Sequence, residues 1–86
     1  MAPYRVRYVT HAAEQRKQVP RSMHTAFDAR MEDLERDPYA VGTYDKSEGN
    51  YTTTFGETGR ETGIIVYTAS DKIDMVTIVR TLCAEW

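Results

Sequence analysis

Cys83 is the only cysteine in 86 residues. A disulfide within the chain is therefore excluded, and so is a zinc site built on several cysteines. No apolar run approaches the roughly 18 residues that a membrane-spanning helix needs. The first residues, Met1-Ala2-Pro3-Tyr4-Arg5, lack the apolar stretch of an export signal. The expectation is a cytoplasmic protein that does not engage a membrane. No spacing of His, Asp and Glu suggests a metal ion. The glycine-containing stretch 56–63 lacks a P-loop pattern and a helix to follow it. No cofactor is expected. There are no repeats, low-complexity segments or linkers.

What is present fits one small domain spanning residues 1–86. A chain of this length buries roughly 60–65% of its unfolded surface, enough for one sheet under one layer of helices. Hydrophobic content is 41%, too high for disorder. The net charge of −2 is unevenly spread. Residues 1–30 hold six basic groups against two acidic ones, a balance of +4. Residues 31–86 hold five against eleven, a balance of −6. A basic N-terminal third can face phosphate, although a mixed solvated surface explains it equally well. The acidic total argues against tight nonspecific binding of nucleic acid.

Periodicity divides the chain. Tyr4 to Val9 alternates apolar and charged, which predicts a half-buried strand with Tyr4, Val6 and Tyr8 inward and Arg5 and Arg7 outward. Thr10 is a cap candidate for a short helix over 11–18, ended by Pro20. Ser22 is the second cap candidate. Behind it Met23, Phe27, Met31 and Leu34 form one face of an amphipathic helix, opposite Asp28, Glu32, Asp33, Glu35 and Arg36. Asp37-Pro38 stops that helix and Gly42 allows a turn.

From Thr43 the period is two. Tyr51, Thr53 and Phe55 share one side of a strand that follows the turn 47–50, and a loop covers 56–60. Thr62 to Thr68 reads as a central strand, 69–72 as a hairpin connection, Ile73 to Val79 as the last strand, and Arg80 to Trp86 as a short tail. The order, helices first and hairpins after, predicts an α+β fold. A strand and a two-helix hairpin pack on a twisted antiparallel sheet of four to five strands, whose other face stays open.

Five pieces together carry a family resemblance: Tyr4-Arg5-Val6-Arg7-Tyr8, the run Leu34-Glu35-Arg36-Asp37-Pro38-Tyr39-Ala40-Val41-Gly42, Gly49-Asn50-Tyr51, Ile64-Ile65-Val66-Tyr67 and Val76-Thr77-Ile78-Val79. In this order and spacing the chain resembles the RelE/ParE superfamily, the toxin halves of type II toxin–antitoxin pairs. The resemblance implies a cognate antitoxin that wraps the toxin. In the RelE-like branch it implies a concave sheet face that cuts messenger RNA, with messenger RNA and the ribosome as the implied partners. In the ParE-like branch the target is DNA gyrase.

Such nucleases need a base for the 2′ hydroxyl, cations for the charged phosphorane and an acid for the leaving 5′ oxygen. Their usual residues map unevenly here. Two lysine positions read as threonines within Tyr51-Thr52-Thr53-Thr54-Phe55, and an arginine position reads as Ile64. Arg60, four residues earlier, is a possible substitute. The arginine of the last strand matches Arg80, and the aromatic C-terminal position is Trp86, which stacks on a base but transfers no proton near neutral pH.

The expected catalytic set is thus Arg60, Arg80 and Trp86, in an RNA-directed, mRNA-interferase-like endoribonuclease. The alternative is a binding module without catalysis, either gyrase-directed or retaining only its partner surface. Each site residue has an ordinary reading as well: a strand end for Arg80, loop charge for Arg60 and a core plug for Trp86. Glu57 and Glu61 read as soluble loop acids, and His11 and His24 as surface or cap positions. Cys83 has no histidine partner nearby in sequence.

Overall fold

The computed structural model describes residues 4–56 and 61–85. Strand β1 (Arg5–Tyr8) leads to helices α1 (Thr10–Lys17) and α2 (His24–Arg36), then to a single turn of helix, α3 (Pro38–Val41). Strands β2 (Thr43–Asp45), β3 (Asn50–Phe55), β4 (Glu61–Ser70) and β5 (Met75–Glu85) complete the chain. The five strands form one sheet in the order β1-β5-β4-β3-β2, with helices packed on one face. The α+β expectation holds. Strands β2 to β5 pair antiparallel, whereas β1 lies parallel to β5 at the edge. Its partner is the most distant strand in sequence, so no local pattern announces that pairing.

Alternation settles which face each strand buries. Val6 and Tyr8 lean on the core while Arg5 and Arg7 are exposed. Phe55, Ile65, Tyr67, Val76 and Ile78 are almost wholly buried beneath the helices. Helix α2 contributes Phe27, Met31 and Leu34, the stripe its spacing predicts. Fully burying one such side chain stabilises the fold by about 1.5–3 kcal/mol. Phe27 meets Phe55 edge to face at 5.1 Å. Gly63 is required there, because a Cβ at this position would sit 2.1 Å from the Phe55 ring. Arg16 of α1 lies over the rings of Tyr8 and Phe27, at 5.4 and 6.0 Å.

Several local expectations are corrected. Neither long helix is capped by its predicted hydroxyl. Thr10 lies inside α1 with Val9 at the cap position, and Ser22 belongs to a 3₁₀ turn (Arg21–Met23) that runs into α2. Asp37-Pro38 does end α2, but it also starts α3: the Asp37 carboxylate accepts from the amides of Tyr39 and Ala40, and Pro38 takes the first helical position. Gly42 serves a close approach and not a special turn. Its backbone is extended, and a Cβ there would meet the Tyr67 hydroxyl at 2.3 Å. That buried hydroxyl donates to the Pro38 carbonyl at 2.6 Å. Tyr67 also stacks on Tyr51 at 5.5 Å and so ties α3 to the sheet.

The largest correction concerns the C-terminal segment. The last strand does not stop at Val79 to leave a tail; it runs to Glu85, and residues 71–74 form the turn before it. A β-bulge lets it continue.

Candidate functional site

The bulge lies opposite Val66 and Tyr67. Tyr67 pairs with Ile78, but Val66 pairs with Arg80, so Val79 is the extra residue on β5. An unbroken period of two would carry Arg80 inward with Val76 and Ile78. The extra residue reverses the alternation. Thr81 turns into the core at 2% exposure, and Arg80 emerges on the face free of helices. The shift keeps an always-charged guanidinium out of a core that offers it no counter-charge.

Helix α1 supports the distorted segment. The Thr81 amide donates to the Gln15 side-chain oxygen at 2.8 Å. Gln15 in turn meets His11 one turn earlier, at 3.3 Å. The Thr81 hydroxyl is buried without a hydrogen-bond partner among the described residues.

Around Arg80 the open face forms a shallow cavity of about 240 Å³, lined by Asp45, Glu48, Asn50, Thr52, Val66, Val79 and Arg80. Thr52 lies between Thr43 and Val66 in register. The carboxylates come from the β2–β3 hairpin. Asp45 accepts from the Ser47 hydroxyl at 2.7 Å and from the Ser47 and Glu48 amides at 2.9 and 3.4 Å. These bonds hold its carboxyl below the usual range. Asp45 is therefore an anion held to its own turn. Glu48 is exposed on the rim.

Beside the cavity Ile64 and Leu82 face each other across β4 and β5, at 37% and 44% exposure. On the far side Arg7 donates from Nε to the Thr77 hydroxyl at 2.9 Å. Among the described residues Arg5, Arg7 and Arg80 enter no salt bridge. The face thus offers unpaired guanidinium groups, threonine hydroxyls and one aliphatic patch. A guanidinium in this setting can take two phosphate oxygens at once. A hydroxyl can donate to phosphate or ribose, but threonine does not exchange protons as a base at neutral pH.

Of the expected catalytic set, Arg80 stands on the open face, while Arg60 and Trp86 lie outside the described residues, as does Glu57. Glu61 begins β4. His24 meets the Val19 carbonyl at 3.0 Å, an ordinary structural contact. Cys83 is exposed near the far end of β5. Asp45, Glu48 and Asn50 are the lining residues that sequence reasoning missed. The hairpin turn was legible, but its position beside Arg80 depends on a bulge two strands away.

No protein-family model matches the sequence, and no curated protein matches it. Among solved structures, a chain of the toxin–antitoxin complex RelBE2 from Mycobacterium tuberculosis shares the fold at a TM-score of 0.69 and 27% identity. The match covers 92% of this chain and 95% of that one. No helix among the described residues is long and apolar enough to cross a membrane. With its helices on one face of a five-stranded sheet and this match along nearly its whole length, the chain has the fold of a RelE-like toxin.

Proposed function

We propose that the protein is the toxin of a type II toxin–antitoxin module and that it acts on RNA through the open face of its sheet. One observation carries this reading: the β-bulge at Val79 turns Arg80 onto the open face, unpaired, in a fold that elsewhere forms a toxin–antitoxin complex. Bulges of this kind re-aim side chains beside functional sites.

In the proposed chemistry the 2′ oxygen attacks phosphorus, and its proton passes to a base. The bond to the 5′ oxygen breaks and that oxygen takes up a proton. Arg80 holds the phosphoryl oxygens as negative charge grows on them. Arg60 is proposed as a second cation and Trp86 as a stacking surface for a base. Asp45 and Glu48 are the carboxylates that line the cavity beside Arg80, and they are the proposed proton acceptors. The partner is a cognate antitoxin, and the target is messenger RNA, with the ribosome as the natural place of encounter.

A specific observation favours a second reading. Ile64 and Leu82 put an apolar patch where the family resemblance expects an arginine, and threonines replace both lysines. Such a face suits a protein target, whether gyrase or another partner, with no RNA cleavage. Induced expression in a bacterial host separates the two. Under the RNA reading the parent arrests growth, and Arg80→Ala relieves the arrest while melting at the same temperature. Equal arrest by both proteins removes Arg80 from the site.

A further inference from the structure

We infer that Arg5 and Arg7 form, together with Arg80, a phosphate-binding stripe that holds the backbone of single-stranded RNA along the open face. The inference rests on the RNA-directed reading above and extends it to an element outside the cavity.

The stripe follows from register. Arg5 and Arg7 are exposed on β1, and the residues between and after them, Val6 and Tyr8, lean on the core. Both arginines therefore project from the face opposite the helices. They stand about 6.6 Å apart along the strand, twice the rise per residue, a spacing on the scale of neighbouring phosphates in a nucleic-acid strand. Parallel pairing places Arg5 beside Met75 and Arg7 beside Thr77, on the strand that carries Arg80 three residues further on. The Thr77 hydroxyl, bonded to Arg7 Nε, orients that guanidinium and leaves its terminal nitrogens free to donate. Arg16 and Lys17, the other basic groups nearby in sequence, are directed elsewhere. Arg16 lies over aromatic rings beneath the helices, and Lys17 sits 3.7 Å from Glu14.

The competing anions are few on this side. Asp71, at the β4–β5 turn, accepts from the Tyr4 hydroxyl at 2.7 Å. Asp74 marks the end of the stripe beyond Arg5, with its carbonyl bonded to the Arg5 amide. Asp45 and Glu48 line the cavity on the other side of Arg80. A strand of RNA laid from Arg5 past Arg7 to Arg80 meets guanidinium groups and threonine hydroxyls.

The test is the salt dependence of binding. A short 2′-O-methyl single-stranded RNA, which cannot be cut, is titrated with the full chain over a tenfold range of salt. The proteins compared are the parent, Arg80→Gln, the double variant Arg5→Gln/Arg7→Gln, and the double variant with lysine at both positions. Each lost phosphate contact lowers the slope of log affinity against log salt by about 0.7. The glutamine pair should lose about 1.4 in slope, a salt effect about 25-fold smaller over that range. The lysine pair should keep the parent slope, and all variants should melt as the parent does, since the positions are exposed. If Arg80→Gln loses slope and the glutamine pair does not, the stripe is wrong and the RNA reading stands. If the parent does not bind the RNA, both fall. A poly-glutamate peptide that binds as tightly as the RNA, with the same loss in the glutamine pair, assigns the stripe to a protein partner and overturns the inference.

Discussion

Replacing Tyr67 with phenylalanine removes one oxygen atom and tests how the site is framed. The Tyr67 ring is fully buried, and its hydroxyl donates to the Pro38 carbonyl at 2.6 Å and accepts from the Gly42 amide. Without it two polar groups under the α3 turn lose a partner. Stranding a buried donor or acceptor costs about 1–3 kcal/mol, and the carbonyl keeps a second lone pair, so the loss is about 2–3 kcal/mol in all. In a domain of this size each kcal/mol moves the melting temperature by about 5 °C, which predicts a fall of about 10–15 °C. Circular dichroism melts of parent and variant measure it. Gly42→Ala supplies the cross-check. Its Cβ would meet the hydroxyl at 2.3 Å, so it should destabilise the parent more than it does the Tyr67→Phe background. A fall of less than about 2 °C in Tyr67→Phe, or strictly additive effects, would refute the claim that this hydroxyl pins α3 to the sheet.

Three further predictions follow from the same geometry. Gln15→Leu removes the acceptor for the Thr81 amide, at a cost of about 1–3 kcal/mol; hydrogen exchange at Thr81 should quicken and Arg80-dependent activity should drop, and unchanged exchange would show that α1 does not hold the bulge. Ile64→Arg restores a cation beside the cavity, so RNA binding should gain about 0.7 in salt slope and growth arrest should deepen; an unchanged slope would mean that this position does not face the RNA. Burial pushes the Tyr67 hydroxyl up from 10.0 to about 12. The unfolded chain then releases this proton first, so the stability Tyr67 contributes is intact below pH 10 and declines as pH rises towards 12. Melting temperatures across that window should fall together with the rise of tyrosinate absorbance, and a flat profile would contradict the burial of the hydroxyl.

The parts legible in the sequence were those governed by local periodicity. The alternation of β1 and the stripe of Met23, Phe27, Met31 and Leu34 each follow from residues within one element. The parallel pairing of β1 with β5 was not legible, because it joins residues some 70 positions apart. The single turn of α3 was hidden by its length and by a proline that reads first as a stop. The bulge left a signal that could have been read. Continuing Val76 and Ile78 by twos buries Arg80, and a buried unpaired arginine is costly enough to demand either an early stop or an inserted residue. Reading a stop at Val79 made Arg80 a strand end, whereas it stands in mid-strand beside a cavity. The carboxylates of that cavity were beyond reach, since they depend on how the β2–β3 hairpin meets a distorted strand.

The most direct test of the central claim is to map messenger RNA 5′ ends in a bacterial host after induction of the full chain, beside Arg80→Ala. The account predicts growth arrest with new 5′ ends inside translated messages, and their loss in the variant. Arrest with intact messages would contradict it and direct the search to a protein target.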